Sequence, residues 1–171
     1  MVILGIDPGS RTTGFGVVSL SSRGVLQHIS HGVIAMKASD AFPLRMKEIG
    51  EGMQSILGKY KPQQVVIEKI FLGKNADSAF KLGHARGVAL YESVRHGAEI
   101  IEYSTRLIKK GITGSGAASK ESVQNCLLRL LNLKAINRMD ASDALAMATF
   151  QAFHLMNPLH RKAVSGQALD L

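Results

Sequence analysis

Four carboxylates carry the chemical signal in this sequence. Asp7 and Glu68 each close a short apolar run, residues 2–6 and 64–67. If those runs are neighbouring parallel strands, their ends lie side by side at one edge of a sheet. Asp140 and Asp143 stand three residues apart, a spacing that on a helix puts both on one face, able to join the strand-end pair. Hard oxygen ligands grouped in this way suit Mg²⁺ or Mn²⁺, and two such ions about 3.5 to 4 Å apart can activate water and stabilise the leaving oxygen in phosphodiester hydrolysis. Like charges so close together are costly, so cations are needed to hold the cluster. Each residue also has a plainer role. Asp-Pro-Gly at 7–9 is an ordinary turn, Glu68 a solvated strand end beside Lys69, and Asp140 with Asp143 a favourable charge at the positive end of a helix.

The elements that must position these groups follow from periodicity. Residues 2–6, 14–20 and 25–36 read as apolar, β-branched strands separated by turns at 7–9 and 21–24, which suggests an antiparallel meander. Ser39 and Asp40 are good N-caps for a first helix in which Ile49, Met53, Ile56 and Leu57 recur at helical spacing, with Gly58 as its stop. A strand over 64–67, a loop over 69–74 and a helix over 75–95 follow, and the order strand, helix, strand implies a crossover. Ile100 and Ile101 mark another strand. The Gly, Ser and Ala-rich stretch 111–119 reads as a mobile loop before a helix that starts near Lys120. A last helix follows Met139, and the tail beyond Pro158 loses periodicity. There is no internal repeat and no linker, so one domain is expected over 1–156, with a flexible tail over 157–171.

Bulk properties bound the class. The chain has 171 residues, 46% of them hydrophobic, enough for one core. Its 21 Lys and Arg against 13 Asp and Glu leave a net charge of +8, which favours a polyanionic partner without saying which. The lone Cys126 sits in an apolar periodic run and reads as core. No segment approaches the roughly twenty apolar residues of a membrane span, and the N-terminus has no basic leader. With an unpaired thiol, a cytoplasmic location is expected.

Three blocks carry a family resemblance. Leu4-Gly5-Ile6-Asp7-Pro8-Gly9-Ser10-Arg11 with Thr13-Gly14-Phe15-Gly16 resembles the opening of RuvC crossover-junction nucleases. Ile67-Glu68-Lys69-Ile70-Phe71, Lys74-Asn75-Ala76-Asp77-Ser78-Ala79 and Leu82-Gly83-His84-Ala85-Arg86-Gly87 resemble their central signature. Asp140-Ala141-Ser142-Asp143-Ala144-Leu145-Ala146 resembles the C-terminal one. The blocks keep the family's order and spacing over about residues 2–150. Lys69 and His84 stand where relatives often carry Gln, outside the carboxylates, and His84 reads as packing or solvent-facing. The resemblance implies an α/β, ribonuclease-H-like fold, a five-stranded mixed sheet flanked by helices. It implies Asp7, Glu68, Asp140 and Asp143 as catalytic metal ligands, two Mg²⁺ ions per site with Mn²⁺ as a substitute, four-way junction DNA as substrate, a homodimer, and RuvA and RuvB branch-migration proteins as partners. The expected outcome is paired symmetric nicks that serve recombination and repair.

Candidate DNA contacts complete the reading. Phe71 shares a loop with Lys69 and Lys74, where an exposed aromatic can stack on a base or wedge a junction open, or can instead fold back onto the core. Lys109 and Lys120 bracket the Gly-rich stretch where phosphate can be met, and the resemblance implies a part for both in DNA binding and cleavage. Arg106, Lys110 and Arg138 read as general electrostatic contacts or solvated charges. The helix after Asn75 is the candidate dimer face. Residues 114–120 are not a Walker loop, because Ser119 replaces its Gly and Glu121 its Ser or Thr. The turn over 7–16 also resembles the phosphate hairpin of sugar kinases and actin-like ATPases, but those need a second lobe that this length cannot supply. Two alternatives remain: a non-catalytic junction-binding protein, disfavoured because clustered negative charge gains nothing against phosphate, and a related nuclease of the same fold acting on RNA or duplex.

Overall fold

A computed structural model of the chain describes residues 1–69 and 76–157. Three strands come first: β1 (Val2–Asp7), β2 (Thr12–Leu20) and β3 (Leu26–Ala35), followed by α1 (Phe42–Tyr60), β4 (Gln64–Glu68) and α2 (Ala76–Arg95). Then come β5 (Glu99–Tyr103), α3 (Thr105–Thr113), α4 (Lys120–Leu130) and α5 (Met139–Met156). The five strands form one mixed sheet in the order β3-β2-β1-β4-β5. β1, β2 and β3 are antiparallel, whereas β4 and β5 run parallel to β1, as the crossover through α1 requires. The expected α/β architecture with a five-stranded sheet flanked by helices is therefore present.

Two apolar layers cover the sheet. Leu4, Ile6, Val17, Val65 and Ile67 pack beneath Ile49, Met53 and Leu57 of α1 and Ala85 and Ala89 of α2. On the opposite face Ile3, Val18 and Val66 pack under Leu145 and Ala148 of α5, with Ile108 and Ile112 of α3 and Val123 and Leu127 of α4 beside them. Strands buried on both faces read as continuous apolar runs, which is why 2–6 and 64–67 were visible. Cys126 is half-buried against the α5 layer, as its periodicity suggested.

α5 lies on the sheet closer than any side chain would permit. A Cβ on Gly5 would stand 1.9 Å from the Ala144 carbonyl oxygen, and one on Gly16 would stand 2.4 Å from the Leu145 Cα. Glycine at both positions lets the helix backbone settle onto β1 and β2.

Local expectations fail in three places. Ser39 and Asp40 do not cap α1. Its N-cap is Ala41, with no side-chain hydrogen bond and a proline in the first turn, where the missing N–H costs nothing. Gly58 does not stop the helix, which runs on to Tyr60 and closes on Lys61 in the left-handed region, φ 45°, because buried Ile56 and Leu57 hold that last turn on the sheet. Gly111 to Thr113 are helical. The stretch read as loop from 111 shortens to 114–119, since Ser104 caps α3 by accepting from the Leu107 N–H, and Ile108 and Ile112 bury one side of it. The loop residues Phe71 and Lys74 lie outside the described residues, as does the tail from 158.

On the edge strand β3, a bulge opposite Val17 and Val18 turns His28 and His31 to the same side, with His28 Nε2 2.8 Å from His31 Nδ1. Burial holds both imidazoles below the ordinary histidine value of 6.5, and their mutual proximity lowers His28 further. The unfolded chain therefore binds protons first. This pair contributes its stability in full above pH 6.5 and loses it as the pH falls below that value. His31→Gln is expected to narrow the gap between urea midpoints measured at pH 7.5 and pH 5.5; an unchanged gap would show that the pair has no part in acid sensitivity.

Candidate active site

β1 and β4 are parallel neighbours with Ile6 beside Ile67, so Asp7 and Glu68 emerge together at their C-terminal ends. Strand alternation sends Asp7 to the side that Gly5 presents to Ala144, the α5 layer. Because α5 lies directly on Gly5, its first turns bring Asp143 to the same place. Asp7, Glu68 and Asp143 line one cleft of about 230 Å³ with Thr105, Lys109 and Lys120. Asp140 does not line that cleft, yet its charge is felt at both Asp7 and Lys120. A larger groove of about 1310 Å³ lies between α1 and α2, on the other face of the sheet. Size does not make it the reactive site, for it is lined mainly by apolar groups such as Met46, Phe80, Val88 and Tyr91.

The electrostatics of the cleft are those of crowded anions. Burial, followed by the charges of Asp143, Glu68 and Asp140, pushes the Asp7 carboxyl from 3.8 up to about 7, against a smaller opposing pull from Lys120. Lys120 donates to Asp143 at 2.5 Å, and that bond raises the ammonium above its ordinary value despite partial burial. Glu68 accepts from the Thr105 hydroxyl, and Asp140 faces Arg138 at 3.7 Å. No three metal-ligating side chains among the described residues stand close enough to hold an ion as placed. The donor set nevertheless fits a hard divalent cation. It consists of carboxylate oxygens, three of the four carboxylates lining one cleft, with the charge of the fourth, Asp140, felt at Asp7.

Of the residues read from sequence, Asp7, Glu68, Asp143, Lys109 and Lys120 come together, with Asp140 alongside. Glu121 is held below the ordinary glutamate value by a hydrogen bond from its own backbone first and from Ser119 second, with Lys109 close enough to add to them. His84 is exposed, with its Nδ1 2.6 Å from the Phe80 carbonyl oxygen and its ring edge-on to Phe42, remote from the cleft lining. Sequence reasoning missed Thr105. The only sequence trace of it is the Ser104-Thr105 helix start, and its contact with Glu68 depends on which strand β5 pairs with. Arg86 was quoted only within a motif. It reaches from α2 to the Glu68 carbonyl oxygen at 3.4 Å and pairs with Glu102 of β5.

The comparisons with known proteins agree with this geometry. Residues 3–151 match the family model described as crossover junction endodeoxyribonuclease RuvC. A protein of that name from Bdellovibrio bacteriovorus is 61% identical over 171 residues, covering 100% of this chain and 99% of the relative. One from Haemophilus ducreyi is 44% identical, covering 92% of this chain and 81% of the relative. Among solved structures, Thermus thermophilus RuvC in complex with a Holliday junction substrate superposes with a TM-score of 0.84 at 28% identity, over 91% of this chain and 94% of that one. The yeast mitochondrial Holliday junction resolvase shares the fold, with a TM-score of 0.66 at 11% identity, over 96% of this chain and 84% of that one.

Proposed function

This chain belongs to the RuvC family, as a crossover junction endodeoxyribonuclease dependent on a divalent metal, and from that premise we propose that Asp7, Glu68, Asp140 and Asp143 are its catalytic metal ligands. The observation that carries the assignment is the convergence of three of the four on one basic-rimmed cleft, where burial first and the neighbouring carboxylates second push the Asp7 carboxyl up to about 7. Asp7, Glu68, Asp140 and Asp143 would hold two Mg²⁺ ions, or Mn²⁺ as a substitute, which when bound would supply the charge to activate water and stabilise the leaving oxygen. The chain's own part is to place the phosphodiester. Lys109 and Lys120 flank the carboxylates, so a phosphate drawn to the lysines arrives beside the ligands. Phe71 and Lys74, from the central signature, complete the proposed DNA contacts, and four-way junction DNA is the proposed substrate.

A second chain fits the face opposite the cleft. Phe80, Tyr91 and Val94 of α2 are 70%, 65% and 61% exposed along one side of the helix, the first two lining the apolar groove against α1. Gly83 and Gly87 leave open space between them, where another helix can approach. We assign this face to a homodimer, whose two-fold axis would match that of a junction and pair the two nicks. The reading further places the chain in the cytoplasm, in recombination and repair with RuvA and RuvB, as one nuclease domain over 1–156 with a tail over 157–171. Among the described residues, no helix is long and apolar enough to cross a membrane.

An end-labelled synthetic four-way junction, incubated beside a linear duplex of the same sequence with Mg²⁺ or with chelator, tests the assignment. Symmetric, Mg²⁺-dependent nicks in the junction alone are expected. Tight binding without cuts would reduce the protein to a junction binder, and equal cutting of the duplex would make it a general nuclease.

A further inference from the structure

Thr105 stands at the first position of α3, exposed to solvent, where neither helix propensity nor core packing calls for a threonine. Its hydroxyl is nevertheless committed, because it donates to the Glu68 carboxylate. Several independent features of the fold bring the two together. Glu68 and Tyr103 are partners at the ends of β4 and β5, and the Lys69 N–H continues that ladder by donating to the Tyr103 carbonyl at 2.8 Å. Ser104 then turns the chain into α3 by capping it, so the next residue begins the helix beside the carboxylate, and Thr105 lines the same cleft as Asp7, Asp143 and Lys120. The backbone of Glu68 is gripped from the opposite layer, where Arg86 donates to its carbonyl oxygen.

We infer that Thr105 is a positioning residue for the metal site, holding one oxygen of Glu68 so that the carboxylate is oriented before an ion arrives. A glutamate at a strand end has three side-chain torsions and loses rotamer freedom when it is fixed. A hydroxyl donor that fixes it beforehand removes part of that cost from ion binding and leaves the remaining lone pairs for the ion. Serine can do the same and valine cannot. This inference rests on the reading of Glu68 as a ligand, so its test separates the two.

The measurement is a calorimetric titration of Mn²⁺ into the full, chelator-stripped chain, with no DNA present. Thr105→Val is expected to weaken Mn²⁺ binding by roughly 10-fold or more, and Thr105→Ser to stay within about threefold of the parent. Because the hydroxyl acts only through Glu68, Glu68→Gln combined with Thr105→Val should bind no more weakly than Glu68→Gln alone. Thr105→Ala, which removes the same donor with less bulk, carries the same expectation should valine disturb α3. Valine and alanine variants that bind Mn²⁺ as the parent does, or losses that simply add to that of Glu68→Gln, overturn the role of Thr105. Unchanged binding in Glu68→Gln overturns the ligand reading instead.

Discussion

Asp7→Asn is expected to abolish junction cleavage, by at least about 10³-fold, while making the metal-free protein more stable. Both halves have the same origin. Asp7 is largely buried beside Asp143, Glu68 and Asp140, and its carboxyl is pushed up to about 7 by burial first and by those charges second. Above pH 7 it is ionised in the folded and unfolded chains alike, so the folded state bears the full penalty, a few kcal/mol for a displacement of this size. As the pH falls from 7 toward 3.8, the folded state takes up its proton first and the penalty is relieved. An amide at this position keeps the shape and removes the charge. At pH 8 without metal, Asp7→Asn should melt about 5–10 °C above the parent, the difference shrinking toward pH 5, and added Mn²⁺ should stabilise the parent more than the variant. Scanning calorimetry with and without Mn²⁺ at the two pH values reads all of this. A variant that melts below its parent at pH 8 would sink the account of Asp7 as an anion awaiting a cation, and one that cuts junctions at the parent's rate would falsify its catalytic role.

Gly5→Ala should be nearly as damaging from a position with no chemistry of its own. The added methyl would stand 1.9 Å from the Ala144 carbonyl oxygen and 2.9 Å from the Ala148 amide nitrogen, both backbone atoms of a helix buried along nearly its whole length. α5 must lift, and overpacking of that kind costs about 3 kcal/mol. Asp143 immediately precedes Ala144, so any shift that accommodates the methyl also moves the Asp143 carboxylate away from Asp7. The expected result is a lowered urea midpoint together with weakened Mn²⁺ binding by the molecules that remain folded. Gly58→Ala, in α1, is the control. Nothing lies within 4 Å of its added Cβ, and the loss of backbone freedom in the unfolded chain makes it neutral or stabilising by about 0.5–1 kcal/mol. If the two substitutions behave alike, the close seat of α5 on β1 is not what assembles the site.

Legibility in the sequence followed the range of the forces involved. β1 and β4 were readable because strands buried on both faces must be uniformly apolar, and their closing carboxylates stood out against that background. α5 was readable because a helix enclosed by its own protein is apolar nearly all round, leaving Asp140 and Asp143 conspicuous at its start. α3 was missed altogether: no helix was expected over 105–113, and residues 111–113 were read as loop, since Gly111 and Thr113 are poor helix formers whose helicity is decided by Ile108 and Ile112 meeting α5. The α1 caps were misplaced because Ala41 and Pro43 start that helix without a side-chain bond. Ser39 and Asp40, sound caps by type, sit too early in the chain to meet its free amides.

By itself, then, the sequence determined the kinds of groups available: four carboxylates with hard oxygen donors, a basic balance, and a run of strands and helices whose motif spacing marks the family. Identity and spacing along the chain are local properties, and chemistry of that kind is written residue by residue. The tertiary structure alone decided that Asp7 would be buried enough to resist ionisation, that Lys120 would meet Asp143 across 23 residues, and that Thr105 would meet Glu68 across 37. Those are contacts between residues distant in sequence. They depend on which strands pair and on how closely α5 can lie over Gly5 and Gly16, and no local pattern encodes a distance between elements that meet only when the core closes.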